Sequence, residues 1–261
     1  MSDPGTSGLL AGKKGLVLNI TNKNSIGWAI ADAANLHGAE VGVGGQNDRL
    51  AEAVYKLIEG RDRFKVFTID FGSDEEYEVL VDQIKAAYGT IDFVVHSAAF
   101  APKEAMQGKF IDTTREDFRI ALDVSCYSFL KLASAVKPVM NPGGSLLTLT
   151  YLGSVRAMRS YNVMGVAKAA LESTVRYLAI DLGEVGVRVN ALSPGPMNTV
   201  AARGVPGLRE MIDYVAEKAP LKRAAVQEDV GGSGVYLLSD LSSGVTGEVI
   251  YVDAGYNIIA M

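Results

Sequence analysis

Short runs of β-branched and apolar residues take turns along this chain with longer stretches whose apolar residues recur every three or four positions. That alternation leaves few architectures open. Gly15–Ile20, Glu40–Val43, Phe64–Ile69, Ile91–His96, Ser145–Thr150, Val187–Leu192 and Val249–Val252 read as seven strands. Ser25–Leu36, Asp48–Ile58, Asp74–Tyr88, Thr114–Val136, Tyr161–Leu182 and Gln227–Leu238 read as amphipathic helices. Strand and helix in alternation imply right-handed crossovers, and so a doubly wound α/β domain with a seven-stranded parallel sheet flanked by helices. In such sheets ligands bind beyond the carboxyl ends of the strands, so the chemistry is sought there.

The 261 residues, 48% of them hydrophobic, suffice for one core, and no linker, repeat or low-complexity run divides them. Residues 13–261 are expected to form a single Rossmann-type domain. The small, polar, Gly-rich residues 1–12 are expected to form a loose tail and not a signal peptide. A single cysteine, Cys126, excludes an intrachain disulfide, and no run approaches the ~18–20 apolar residues of a membrane span. Only His37 and His96 are available as imidazole ligands, with no metal spacing, so no metal is expected. A net charge of −5 argues against nucleic acid. A cytoplasmic protein with a small partner, or one carried on something small, is expected.

After the first strand, the loop Asn19 to Gly27 runs into a helix near Ser25. A helix amino terminus presents unpaired N–H groups to an anion, and Ser25 could cap it with its own N–H facing phosphate. Of a Gly-x-x-x-Gly-x-Gly pattern only Gly27 is present, so the loop alone leaves dinucleotide binding and an ordinary β-turn-α connection both open. Gln46, at the end of the second strand, is neutral and suits ribose hydroxyls, favouring NADH over NADPH, although Arg49 lies close enough in sequence to meet a 2′-phosphate. Asp70 could bond an adenine amino group or cap a turn before Ser73. Ser97 and Ala98 are small enough to admit a cofactor, and His96 reads as a satisfied core histidine.

Tyr161 and Lys168 lie seven residues apart, two turns of helix, and so share a face. A phenol can donate to a developing oxyanion while an ammonium holds ribose hydroxyls and strengthens the local field. The surrounding residues carry more. Ser25-Ile26, Gln46-Asn47-Asp48, His96-Ser97, Phe100-Ala101-Pro102, Tyr127-Ser128-Phe129, Tyr161-Asn162-Val163-Met164, Gly186 to Ala191 and Gly247-Glu248-Val249 together resemble the enoyl-acyl carrier protein reductases of bacterial fatty acid synthesis, a divergent branch of the short-chain dehydrogenases/reductases. The resemblance runs from about Gly12 to Met261.

Ordinary short-chain carbonyl reductases keep Tyr-x-x-x-Lys, whereas position 164 here is Met and the tyrosine stands one turn earlier. A conjugated substrate suits that shift, because hydride goes to the β-carbon while charge appears on the more distant thioester oxygen. The resemblance implies that Tyr161 stabilises the enolate, that Lys168 holds the nicotinamide ribose and that Tyr151 lines the thioester pocket. It implies cofactor contacts from Asn19, Ser25, Ile26, Gln46, Asp70, Phe71, Ser97 and Ala98, from the Met197 backbone, and from Thr199. It places the acyl chain near Ala99 and Met164 and along a substrate loop and helix at about 197–222, with Ala201, Val205 and Leu208. It further implies NADH, an acyl carrier protein-bound substrate and a homotetramer, with the apolar stretch Tyr256–Met261 suited to a subunit contact. The basic residues around that loop could receive an acidic carrier or form a solvated face.

Three features depart from the family pattern: Asn19 in place of a glycine, Gly44-Gly45 before Gln46, and Pro194 in Ser193-Pro194-Gly195-Pro196. Asn19 bears on how closely pyrophosphate can approach. Two readings compete with an enoyl reductase: a short-chain carbonyl or alcohol oxidoreductase, which would need a proton donor where Met164 stands, and a non-catalytic NAD-binding protein, which would be free to lose Tyr161 or Lys168.

Overall fold

The computed structural model describes residues 8–159, 161–199, 202 and 207–259. Seven strands form one parallel sheet: β1 (Lys14–Leu18), β2 (Glu40–Gly45), β3 (Phe64–Thr68), β4 (Ile91–His96), β5 (Met140–Leu149), β6 (Arg188–Pro194) and β7 (Val249–Val252), in the order β3-β2-β1-β4-β5-β6-β7. The chain winds outward from β1 to β3, then returns to lay β4 against β1, with Leu18 paired to His96 at their carboxyl ends. That reversal leaves a crevice between the loops that follow β1 and β4.

The helices are α1 (Ile26–Leu36), α2 (Asp48–Ile58), α3 (Asp74–Tyr88), α4 (Arg115–Leu122), α5 (Ser128–Val136), α6 (Asn162–Gly183), α7 (Leu208–Lys218) and α8 (Gln227–Leu238). The strands are nearly continuous apolar runs because both faces of a parallel sheet are covered. On one face Leu146, Val189 and Ala191 meet α3, α5 and α6 through Leu80, Phe129 and Leu171. On the other, Val17, Val95 and Leu192 meet α1 and α8 through Ile30, Ala34 and Val235. Each fully buried Val, Leu, Ile or Phe among these contributes on the order of 1.5–3 kcal/mol.

Three boundaries differ from the periodicity. The stretch 114–136, expected as one helix, is interrupted by a π-helical turn at Asp123–Tyr127 between α4 and α5. There the Ser128 hydroxyl donates to Val124 O at 2.7 Å, a back-bond of the kind that bends helices. Strand β5 begins at Met140, five residues before the expected start, because the β4–β5 register shifts between Ile91 and Phe93 and so absorbs Pro142-Gly143-Gly144. Third, the loose-tail expectation fails for Gly8 to Gly12. Leu10 is fully buried against α1 and β2, and its N–H donates to His37 O at 3.0 Å. Residues 1–7 lie outside those described.

Among the described residues no helix is long and apolar enough to cross a membrane, and no cluster of three or more His, Cys, Asp or Glu side chains gathers as a metal site would.

Candidate active site

The loop after β1 turns at Asn19, whose backbone has φ +68°. This left-handed conformation is natural for glycine and tolerated by asparagine. Asn19 thus reproduces the turn its replaced glycine would make, and its Nδ2 donates to Ser97 O at 3.3 Å, tying the loops after β1 and β4 together. Ser97 Oγ in turn donates to Leu18 O at 2.5 Å. Ser25 is the N-cap residue of α1, yet its hydroxyl makes no cap bond. It accepts instead from Thr21 N and Asn22 N, both at 3.1 Å, and the Ser25 N–H, expected to face an anion, donates to Asn22 O at 3.0 Å. The serine therefore shapes the loop, and its own N–H is spent inside it.

At the ends of β2 and β3, Gln46 Nε2 donates to Asp70 Oδ1 at 3.3 Å, and the same oxygen accepts from Gly72 N at 3.0 Å. Asp70 so caps its turn and orients Gln46 together. Phe71 turns its ring into the core against His96 and Tyr77, so contact with a ligand from this residue is left to its backbone.

Tyr161 immediately precedes α6. Its ring packs edge to face on Tyr151, with centroids 4.9 Å apart and planes at 66°. Behind it lies Gly153, where a Cβ would come within 2.5 Å of the ring, and a Cβ at Gly165 would meet Gly153 O at 2.8 Å. Two glycines thereby let the tyrosine seat against the turn at Leu152–Ser154. Burial, reinforced by Tyr151, pushes the Tyr161 hydroxyl above its ordinary pKa, and burial pushes Tyr151 to about 12, so both stay protonated as donors.

Lys168 is 4% exposed, and its Nζ donates to Leu149 O at 2.7 Å. Burial lowers its pKa to about 8, against the partial support of Cys126 and Glu172. Glu172, one turn on and also buried, accepts from Thr150 Oγ1 at 2.6 Å. An ammonium carries three donors. The site therefore offers a buried cation to a ligand rich in hydroxyls. His96 is fully buried, its Nε2 2.8 Å from Ser128 Oγ and its Nδ1 3.1 Å from Thr148 Oγ1. Burial first, then Lys168, holds His96 down to about 3, so it stays neutral as a core strut.

These elements surround one cavity of about 390 Å³ beyond the carboxyl ends of β1, β4, β5 and β6. Asn19, Ser25, Ile26, Ser97 and Ala98 line one end. Tyr151, Tyr161, Lys168, Met197 and Thr199 also line it, as do Ala99, Met164 and Leu208. Met197 O accepts from Thr199 N at 2.8 Å, so that carbonyl is shared with its own loop. Gln46, Asp70 and Phe71 do not line the cavity. Ala201 and Val205 lie outside the described residues. Met106, Met158 and Met211 line it as well, without having been expected from the sequence; with Met164 and Met197, five of the eight methionines line this cavity. Such pliable apolar side chains fill irregular space, but scattered over separate segments they leave no signal in the sequence. The start of α1, at Ile26 and Gly27, and the buried Lys168 ammonium line the same cavity, which fits a nicotinamide dinucleotide, whose phosphates and ribose hydroxyls match those groups.

A parallel doubly wound sheet opening onto a half-buried tyrosine and a buried lysine defines a dinucleotide-dependent oxidoreductase of the short-chain class. A family model described as enoyl-(acyl carrier protein) reductase matches residues 20–257. The chain is 47% identical over 254 residues, 97% of its length and 98% of the relative's, to the enoyl-(acyl-carrier-protein) reductase (NADH) FabI of Rickettsia felis. The Bacillus cereus enoyl-acyl carrier protein reductase, solved with NADP+ and indole naphthyridinone, matches with a TM-score of 0.95 at 43% identity, over 97% of this chain and 100% of that one. The Anaplasma phagocytophilum enoyl-(acyl-carrier-protein) reductase, solved with NAD, matches with a TM-score of 0.93 at 40% identity, over 98% of each chain. The chain belongs to the enoyl-(acyl carrier protein) reductase family.

Proposed function

We propose that the protein reduces the trans-2 double bond of enoyl thioesters carried on acyl carrier protein, with NADH, in fatty acid elongation in the cytoplasm. The observation that carries this reading is the position of the phenol. Tyr161 reaches the cavity one turn before Met164, and Met164 offers only a thioether where a carbonyl reductase would need a proton donor. The cofactor, when bound, supplies hydride to the β-carbon.

Tyr161 donates to the thioester oxygen as negative charge gathers there, and its raised pKa keeps the proton on the phenol while it does so. Tyr151 supports that ring and closes the thioester end. Lys168 holds the nicotinamide ribose and sets a positive field beside the oxyanion. Ser97, Ala98, Met197 and Thr199 form the nicotinamide side, and the α1 terminus with Ile26 takes the pyrophosphate. Gln46 and Asp70, joined to each other at 3.3 Å, read the adenosine end. The apolar wall excludes water from the enolate.

The protein acts as a homotetramer, which light scattering tests directly: a monomer contradicts it. The reaction is tested by incubating protein, NADH and a trans-2-octenoyl thioester and identifying the product by mass. The saturated acyl thioester is expected; recovery of unchanged substrate from folded protein refutes the reading.

A further inference from the structure

The wall of the cavity after β4 is made by backbone that belongs to no strand or helix: residues 97–102 have no regular structure. Phe100 stands in this segment, 53% exposed as a residue and lining the cavity. Its N–H and C=O have no ladder to join, and backbone groups withdrawn from water need partners. Both find the same one. Ser125 Oγ accepts from Phe100 N at 2.9 Å and lies 3.0 Å from Phe100 O, to which it donates. The same hydroxyl lies 3.7 Å from Met164 Sδ on α6.

Ser125 is fully buried and does not itself line the cavity. It sits in the middle of the π-helical turn Asp123–Tyr127, an interruption that sequence periodicity gives no reason for. Such turns recur where a helix must aim a side chain at a functional element. Ala101, Ala105, Ala121 and Val163 pack with Met164 as a cluster separate from the two main cores, and Phe100 is not part of it. The Ser125 hydroxyl thus joins two lining residues, one in the segment after β4 and one on α6.

We propose that Ser125 is a positioning residue that sets the width of the acyl end of the cavity, through Phe100 and Met164, and thereby the acyl chain length that is reduced best. The proposal rests on the enoyl thioester reading. A short crotonyl chain occupies the Tyr161 end, whereas a longer chain must run along the wall that Ser125 pins. Loosening the wall therefore affects long substrates and spares short ones.

The test compares the wild type with Ser125→Ala and the near-isosteric Ser125→Cys. It measures kcat/KM for crotonyl and dodecenoyl thioesters, NADH affinity, and hydrogen exchange at the Phe100 amide. Ser125→Ala should lower the dodecenoyl-to-crotonyl ratio by about tenfold, the scale on which apolar pockets discriminate. NADH affinity should stay within about twofold, and exchange at Phe100 should quicken by about tenfold as its acceptor is lost. Ser125→Cys, a weaker partner of similar volume, should fall between the two. An unchanged ratio, or an equal fall for both substrates together with weakened NADH binding, would overturn the proposal. A wild type silent on every enoyl thioester would instead refute the underlying reading and the acyl assignment with it. Phe100 exchange alone would then decide whether Ser125 pins this wall.

Discussion

Tyr151 joins the end of β5 to α7: its ring meets Tyr161 at a centroid distance of 4.9 Å, while its hydroxyl lies 3.2 Å from Met211 Sδ. Tyr161, the proposed oxyanion donor, is therefore buttressed by a residue that also touches α7. Tyr161→Phe removes the donor but keeps the ring, so turnover should fall by about 10²- to 10³-fold, as for loss of one oxyanion donor. NADH affinity should be nearly unchanged. Tyr151→Phe keeps the packing and loses only the weak contact to sulfur, so its effect should be much smaller. Steady-state kinetics with fluorescence titration of NADH separate the two.

Lys168 contributes as a cation, and burial brings its pKa down to about 8. In the proposed role the protonated form binds the ribose hydroxyls, so NADH affinity should be full below that pH and decline as pH rises through it. Lys168→Ala should weaken NADH binding by about 10- to 100-fold, matching loss of a charged hydrogen bond, and should abolish the alkaline decline. In the ligand-free protein the sign is opposite. A lysine whose folded pKa lies below its ordinary 10.5 destabilises the fold while charged, so this contribution to stability improves as pH rises from about 8 toward 10.5.

Glu172 supports the charge on Lys168 from one turn away. Glu172→Gln should therefore move the alkaline decline in NADH affinity to lower pH, with binding below pH 7 little altered. A binding profile measured between pH 6 and 10 checks this. A midpoint that stays in place, or moves upward, contradicts the role.

Much of this arrangement was legible in the sequence, and for identifiable reasons. Seven apolar runs alternating with helical periods fixed the layers, because a parallel sheet buries both faces and leaves little freedom in where its strands fall. Tyr161 and Lys168 were legible because helical spacing places them on one face. The π-helical turn was not, since Ser125 and Ser128 act through the backbone of Phe100 and Val124, distant or unpatterned in sequence. Leu10 was obscured by its small polar neighbours. The expectation that Ser25 would offer its N–H to an anion failed because Asn22 O lies close enough to take it. The methionine wall was missed because Met106, Met158 and Met211 come from three separate segments.

Asn19 occupies a left-handed backbone conformation at φ +68°. Asn19→Ala should cost about 1–2 kcal/mol, the penalty of that region for an ordinary side chain, and lower Tm by about 2–8 °C. Asn19→Gly, free of that penalty but without the Nδ2 bond to Ser97 O, should melt between Asn19→Ala and the wild type. Equal melting of Asn19→Ala and Asn19→Gly would show that the turn relaxes.

The most direct test of the central claim supplies NADH carrying deuterium at its transferable position, with a trans-2-octenoyl thioester in one reaction and a 3-ketooctanoyl thioester in another. The account predicts rapid oxidation in the first alone, with deuterium at the β-carbon of a saturated product. Oxidation only with the ketoacyl thioester, placing deuterium on a carbinol carbon, would contradict it.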